Sequence, residues 1–234
     1  VRRSEIQVIA HRTCPLDAPE NSLQGIARAA ELGADAVELD VRLTRDGVPV
    51  LSHDRTCWRV ARRPWPVRLI GHERFTKACH RGTADHLPAL RDALDALPAP
   101  IGVAIDLKDH RAVSAAAAVV RDLRMVDRAM LWARTVGGVR EAQRLLGDVR
   151  TALLRDTDDE ESTVRYVRDA HACGATSVSI HQDRLTARVI DQADRLGILA
   201  LAWVVERQAH ERVLQLGVTG VVTDWPALAR ELVS

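Results

Sequence analysis

The chain predicts a TIM (β/α)8 barrel, and three observations carry that prediction. Eight short apolar or alternating runs begin near residues 6, 36, 102, 129, 150, 176, 199 and 220, most of them separated by stretches of helical periodicity. Gly33, Gly147, Gly174, Gly197 and Gly217 each stand just after a helix and just before a strand, where a left-handed cap residue belongs. The length of 234 residues is that of one such barrel. A doubly wound open sheet is the alternative. It would usually carry a Gly-rich phosphate loop after its first strand, and His11-Arg12-Thr13-Cys14-Pro15 is no such loop. Residues 1–234 therefore read as a single domain, with an extra antiparallel hairpin strand and an irregular insertion at 55–86.

In chain order, Ile6 to Ala10 is a short apolar strand ending in His11-Arg12. The first residues, Val1 to Glu5, run straight into it and show no signal peptide. Asn21 or Ser22 can cap the next helix, where Leu23, Ile26, Ala27 and Ala30 fall on one face. Val37, Leu39 and Val41 alternate with Glu38 and Asp40, which is the period of a strand. Asp46-Gly47 is a hairpin signal, and a two-residue loop there would set Asp40 opposite His53. The five residues joining the strands allow only an antiparallel return. A helix is expected at 88–97 with Pro88 in its first position. Ile101 to Lys108 is a strand that puts Asp106 and Lys108 on one face. A helix at 111–124 follows, then strands near 129–133, 150–154, 176–180, 199–204 and 220–223. Helices are expected near 138–146, 158–172, 184–196, 207–216 and 226–233.

Composition narrows the function. Apolar residues make up 47% and aromatics only 3%, so Ala, Val, Leu and Ile must fill the core. With 33 basic and 32 acidic residues, the balance argues against a general nucleic-acid binder. No run approaches the 18 or so apolar residues of a membrane span. Cys14, Cys57, Cys79 and Cys173 lack zinc-site spacing and read as free thiols of a cytoplasmic protein, with a Cys57–Cys79 disulfide as the alternative.

A barrel carries its chemistry where the strands end. His11 and Arg12 end the first strand, Glu38 and Asp40 the second, and Asp106 and Lys108 the third, with His53 on the hairpin. Three carboxylates at one rim repel, and one divalent cation resolves that; hard oxygen ligands favour Mg²⁺ or Ca²⁺ over zinc. Two imidazoles beside a metal suit general acid and base work near neutral pH. Arg12 and Lys108 suit an anionic substrate, with phosphate the leading candidate.

These residues resemble the glycerophosphodiester phosphodiesterase family. The resemblance lies in His11-Arg12, Pro19-Glu20-Asn21-Ser22, Glu38-Leu39-Asp40-Val41, Asp46-Gly47 and His53-Asp54. It continues, in order, through Leu87-Pro88-Ala89-Leu90, Ile105-Asp106-Leu107-Lys108, Ala202-Trp203-Val204-Val205 and Gly220-Val221-Val222-Thr223-Asp224-Trp225-Pro226. It implies metal-dependent hydrolysis of glycerophosphodiesters to sn-glycerol 3-phosphate and an alcohol. Glu38, Asp40 and Asp106 would be the metal ligands, His11 and His53 the acid and base, and Arg12, Lys108, Glu20 and Trp203 the substrate contacts. The chain departs from the family pattern at Thr13, where the family has Gly, and at Asp106, where it has Glu. Lysophospholipase D-like activity on lysolipids and a non-hydrolytic phosphate-ligand-binding barrel are the competing readings. The run from Arg55 to Arg68, with five arginines, two tryptophans and no acid, suits a substrate headgroup or a peripheral lipid contact. No oligomeric state is implied.

Overall fold

The computed structural model describes residues 6–234 of the chain. The reading of Val1 to Glu5 lies outside the described residues. Eight parallel strands close into a ring: β1 (Gln7–Ala10), β2 (Ala36–Leu43), β4 (Gly102–Leu107), β5 (Ala129–Ala133), β6 (Arg150–Leu154), β7 (Ser177–His181), β8 (Leu199–Val204) and β9 (Gly220–Thr223). The pairing of β1 with both β2 and β9 is what closes it. β3 (Pro49–Leu51) lies outside the ring, antiparallel to the far end of β2. The helices are α1 (Leu23–Glu31), α2 (Trp58–Ala61), α3 (His72–Thr76), α4 (Leu90–Asp95) and α5 (Ala112–Asp122), then α6 (Val136–Leu146), α7 (Glu160–Ala172), α8 (Ala187–Leu196), α9 (His210–Gln215) and α10 (Pro226–Val233). The TIM barrel with an extra hairpin strand is therefore the observed fold. Among the described residues, no helix is long and apolar enough to cross a membrane.

Local chemistry accounts for the element boundaries. Ser22, not Asn21, caps α1, its side chain accepting from Gly25 N at 2.9 Å. Thr135, Asp159 and Thr186 cap α6, α7 and α8 in the same way. The five junction glycines all have positive φ, between 66° and 86°, a conformation that costs glycine little. Pro88 does not open α4, whose N-cap is Ala89; the Pro88 carbonyl instead accepts from Leu51 N.

Apolar side chains fill two kinds of space. Outside the ring, Val, Leu, Ile and Ala pack the strands against the helices. Inside it, Ile9, Ala36, Ala104, Met130, Trp132, Ala152, Leu154, Leu201 and Val222 form a plug. Three alanines among these give the few large residues room, which is how a chain poor in aromatics fills a barrel.

Two further expectations need correction. The hairpin pairs Val41 with Leu51 and Leu43 with Pro49, so Asp40 faces Ser52, and Ser52 N donates to the Asp40 carbonyl at 2.9 Å. The loop is one residue longer than a two-residue turn. Gly47 N donates to the Thr44 carbonyl, and Thr44 N to the Val48 carbonyl. Gly47 sits at φ +79°, the arrangement of a type I turn with a bulge. The excursion at 55–86 is also more ordered than predicted. It holds α2 and α3, bridges between Thr56 and Pro66 and between Cys79 and His86, and a small core of Val50, Cys57, Val67, Ile70, Phe75, Ala78 and Leu87. Cys57 and Cys79 are free thiols, like Cys14 and Cys173, so the Cys57–Cys79 disulfide is not formed.

Candidate active site

The period of two that builds the strands also builds the site. On β2, Ala36 lies in the interior plug, and Glu38 and Asp40 follow it on the same face. On β4 Ala104 is followed by Asp106, and on β5 Met130 and Trp132 are followed by Arg134. β1 adds His11 beyond Ile9, β8 adds Trp203 beyond Leu201, and β9 adds Asp224 beyond Val222. Each inward file runs from apolar at the barrel centre to polar at the C-terminal strand ends, the functional face of this fold.

The carboxylates converge. Asp40 and Asp106 are direct register partners on neighbouring strands. Ligand atoms of Glu38, Asp40 and Asp106 all lie within 4.8 Å of one another, and the three residues are 1–5% exposed. Three cationic groups surround them. Lys108 Nζ is 2.7 Å from Asp40 Oδ1 and also bonds Asp106, Arg12 Nε is 3.4 Å from Asp40 Oδ2, and Arg134 Nη2 is 3.1 Å from Asp106 Oδ2. Asn21 grips Asp40 from both sides: Asp40 N donates to its Oδ1 at 2.9 Å, and its Nδ2 donates to Asp40 Oδ2 at 2.8 Å. Arg12 N donates to Glu38 Oε2 at 2.8 Å. Burial and the neighbouring Asp40 charge push the Glu38 carboxyl well up. Burial would raise Asp40 too, but Lys108 and Arg12 outweigh it and bring that carboxyl down to about 2.

This donor set fits a divalent cation. It is all-oxygen, and its spread matches a cation with bonds of about 2.3–2.6 Å, which spans up to about 5 Å between ligands. Asp106 Oδ1 is buried with no hydrogen-bond partner, a costly state that a coordinated cation relieves. The raised Glu38 carboxyl points the same way, since a buried acid without enough counter-charge holds its proton.

Each histidine is held by a carboxylate through Nδ1. His11 Nδ1 lies 2.7 Å from Asp224 Oδ1, and His53 Nδ1 lies 2.8 Å from Asp54 Oδ1. A carboxylate on Nδ1 favours the tautomer with its proton there and leaves Nε2 to exchange protons. Trp203 packs against His11 with ring centroids 6.0 Å apart. Arg59 ties the two sides together, donating to Asp54 at 2.7 Å and to Glu20 Oε1 at 2.8 Å, while Glu20 lies 3.8 Å from Arg12. These contacts lower the Asp54 carboxyl against the upward push of its own partial burial.

His11, Arg12, Glu38, His53, Asp106, Lys108 and Trp203 line one cavity of about 300 Å³. Despite the register shift, His53 reaches it, because β3 ends at Leu51 and the chain bends over the next residues. Lys108 lies on the carboxylates, and Glu20 lies behind Arg12. Sequence reasoning did not assign Asp224, Asp54, Asn21, Arg59, Arg134 or Trp132 to the site. His53-Asp54 and Asp224 at a strand end were visible signals; Arg134 and Trp132 offered none beyond their place on β5. The indole N–H groups of Trp132 and Trp203 are buried without partners beside this cavity, two donors ready for hydroxyls.

Comparison with known proteins agrees with this geometry. Residues 11–228 match the Glycerophosphoryl diester phosphodiesterase family. Glycerophosphodiester phosphodiesterase 1 of Rattus norvegicus is 37% identical over 124 residues, 49% of this chain and 38% of that protein. The chain thus spans little more than a third of the length of that curated relative. A Glycerophosphodiester phosphodiesterase of Caldanaerobacter subterraneus is 24% identical over 97% of both chains. The crystallised phosphodiesterase of Oleispira antarctica, in complex with the product sn-glycerol-3-phosphate, superposes with a TM-score of 0.85 at 18% identity, over 96% of this chain and 95% of that one.

Proposed function

The chain belongs to the glycerophosphoryl diester phosphodiesterase family, and from that premise we propose that it hydrolyses glycerophosphodiesters to sn-glycerol 3-phosphate and an alcohol. The observation that carries the reading is the meeting of three buried carboxylates and two carboxylate-held histidines on one cavity. The product bound to the Oleispira antarctica relative supports the substrate class.

Glu38, Asp40 and Asp106 would hold one Mg²⁺ or Ca²⁺. Bound there, the ion would supply positive charge for the phosphoryl oxygens. Arg12 serves the same oxygens, and Lys108, once the carboxylates are otherwise neutralised, joins it. In the first step the glycerol hydroxyl next to the ester attacks phosphorus. An oxygen–phosphorus bond forms, the bond to the alcohol breaks, and a cyclic phosphate results. One histidine takes the hydroxyl proton and the other gives a proton to the leaving oxygen. Water then opens the ring with the two roles reversed. Asp224 and Asp54 hold the rings in place, and Trp132 and Trp203 offer their indole N–H groups to glycerol hydroxyls. A non-hydrolytic phosphate-ligand-binding role is less favoured, because binding needs no pair of oriented imidazoles.

Phosphorus NMR of the products of glycerophosphocholine tests the proposal. Glycerol 3-phosphate is the expected product; phosphocholine, or no turnover with either metal, would contradict it.

Action on lysolipids is the second reading, favoured by Trp58 and Leu69, which are 52% and 53% exposed on the arginine-rich excursion. Trp65, by contrast, packs on the excursion's core between Arg63 and Arg74, at 5.4 and 4.2 Å from its ring. Vesicle binding lost on Trp58→Ala would support a peripheral membrane contact. The four free thiols suit a reducing, cytoplasmic setting.

A further inference from the structure

A second cavity, of about 570 Å³, adjoins the first. Lys108 and Arg134 line both, so the two spaces share the two cations that bond Asp40 and Asp106. The remaining charged lining is Arg42, Arg55, Arg68, Arg111 and Asp109. Asp109 is already taken by Arg111, whose Nε lies 3.0 Å from Oδ1. Arg134 and Lys108 are engaged with Asp106 and Asp40. Arg42 donates twice to the His53 carbonyl, from Nε at 3.0 Å and Nη2 at 2.8 Å. Among the described residues, Arg42, Arg55 and Arg68 make no ion pair with a carboxylate.

Three guanidinium groups therefore share a cavity that contains no spare negative charge. Like charges held this way repel, and an anion inside the cavity reverses the sign of the interaction. The concentration is local, because the whole chain carries a formal charge of only +1. The cavity also lacks what a quaternary ammonium needs, since no Trp, Tyr or Phe lines it. Its volume suits a ring-sized small molecule. Two of its arginines come from the excursion at 55–86 and the third from β2, and the third is bonded to the backbone of His53.

We propose that this cavity is the subsite for the alcohol moiety of the substrate, and that it selects alcohols that carry a second anionic group, a phosphate above all. The inference rests on the phosphodiesterase reading and deepens it. The reacting phosphate lies over the carboxylates, the glycerol side fills the smaller cavity, and the leaving alcohol reaches its own phosphate toward Arg42, Arg55 and Arg68. Guanidinium forks match phosphate oxygens in pairs, which gives selectivity as well as attraction.

The test compares kcat/KM on glycerophosphocholine, glycerophosphoinositol and glycerophosphoinositol 4-phosphate, for the wild type and for Arg55→Ala/Arg68→Ala. Both residues are exposed and outside the catalytic machinery. The wild type should prefer the phosphorylated alcohol by about tenfold or more, the worth of one charged hydrogen bond. The double variant should lose that preference through a fall in kcat/KM on glycerophosphoinositol 4-phosphate about tenfold larger than on glycerophosphoinositol. Lysophosphatidylinositol 4-phosphate, run in parallel, tells a lipid-borne headgroup from a soluble diester; a preference for either phosphorylated form supports the subsite. Turnover of all diesters with no preference for the phosphorylated one, or a preference that survives the double substitution, overturns this inference and leaves the phosphodiesterase reading intact. Calorimetry with inositol 1,4-bisphosphate reads the cavity without turnover. Binding weakened about tenfold in the variant supports the subsite, and no binding to the wild type overturns it.

Discussion

At the scale of single residues, the two histidines carry the strongest predictions. Their Nδ1 atoms are committed to Asp224 and Asp54, so the proposed proton transfers would fall to Nε2. His11→Ala and His53→Ala should each lower turnover by roughly 10²–10⁴, with the fold intact by circular dichroism. The two variants should then differ. With a nitrophenol leaving group, which needs no proton, the variant lacking the general acid should recover and the other should not. Equal behaviour on both substrates would separate the histidines from acid–base roles. The His11 partner was hard to foresee, because Asp224 lies 213 residues away and meets it only through closure of the ring. Asp54, one residue from His53, was in plain view yet read as part of a motif rather than as a hydrogen-bond partner.

At the scale of elements, the turn after β1 shows how a strained residue is accommodated by a neighbouring helix. Arg12, Thr13 and Cys14 all have positive φ, at 44°, 62° and 53°. A glycine at position 13 would adopt that backbone freely, whereas threonine is strained there. The sequence showed a threonine there but not its accommodation, which comes from α1. A Cβ on Gly25 would stand 2.3 Å from Thr13 Oγ1 and 2.4 Å from its carbonyl oxygen. Thr13 thus occupies the space that Gly25 leaves, and its hydroxyl accepts from Ser22 N at 3.3 Å. Gly25→Ala should destabilise the fold by about 1–3 kcal/mol in urea unfolding, the cost of overpacking, and Thr13→Gly, which removes the side-chain contact but not the one with the carbonyl oxygen, should recover part of that loss. No recovery at all would mean that the carbonyl contact alone sets the cost. The excursion has its own anchor in Phe75, fully buried. Phe75→Ala should cost about 3–5 kcal/mol if that small core is joined to the barrel. Strand limits were legible because Val, Leu and Ile mark them at period two. The hairpin register was not, since Asp-Gly fits both a two-residue turn and the longer bulged one that Thr44 stabilises through Asp46 and Val48.

At the scale of the whole molecule, the fold separates a stabilising end from a chemical end, and a buried histidine links its stability to pH. His210 is 1% exposed, its Nδ1 2.8 Å from the Arg207 carbonyl and its Nε2 2.8 Å from Thr223 Oγ1 at the end of β9. Burial lowers its pKa below the ordinary 6.5. The folded state therefore holds this proton more weakly than the unfolded state. Its contribution is complete above the ordinary value and is lost as pH falls through 6.5 toward the lower folded value. Urea unfolding at pH 5 and pH 7.5 should show the loss, and His210→Gln should flatten it; an unchanged slope would clear His210 of the effect. The barrel, its strand order and the acid-and-histidine set were readable from where charges interrupt apolar files. The screening of the carboxylates by Lys108, Arg12 and Arg134 was not, because it depends on three separate strand ends meeting. The proposed hydrolysis needs a divalent cation on those carboxylates. Its most direct test is the rate of sn-glycerol 3-phosphate release from glycerophosphocholine before chelation, after EDTA, and after adding back Mg²⁺ or Ca²⁺, with Asp106→Asn alongside. Release that stops on chelation, returns with the metal, and stays low in Asp106→Asn is the expected result. Release that ignores EDTA would contradict it.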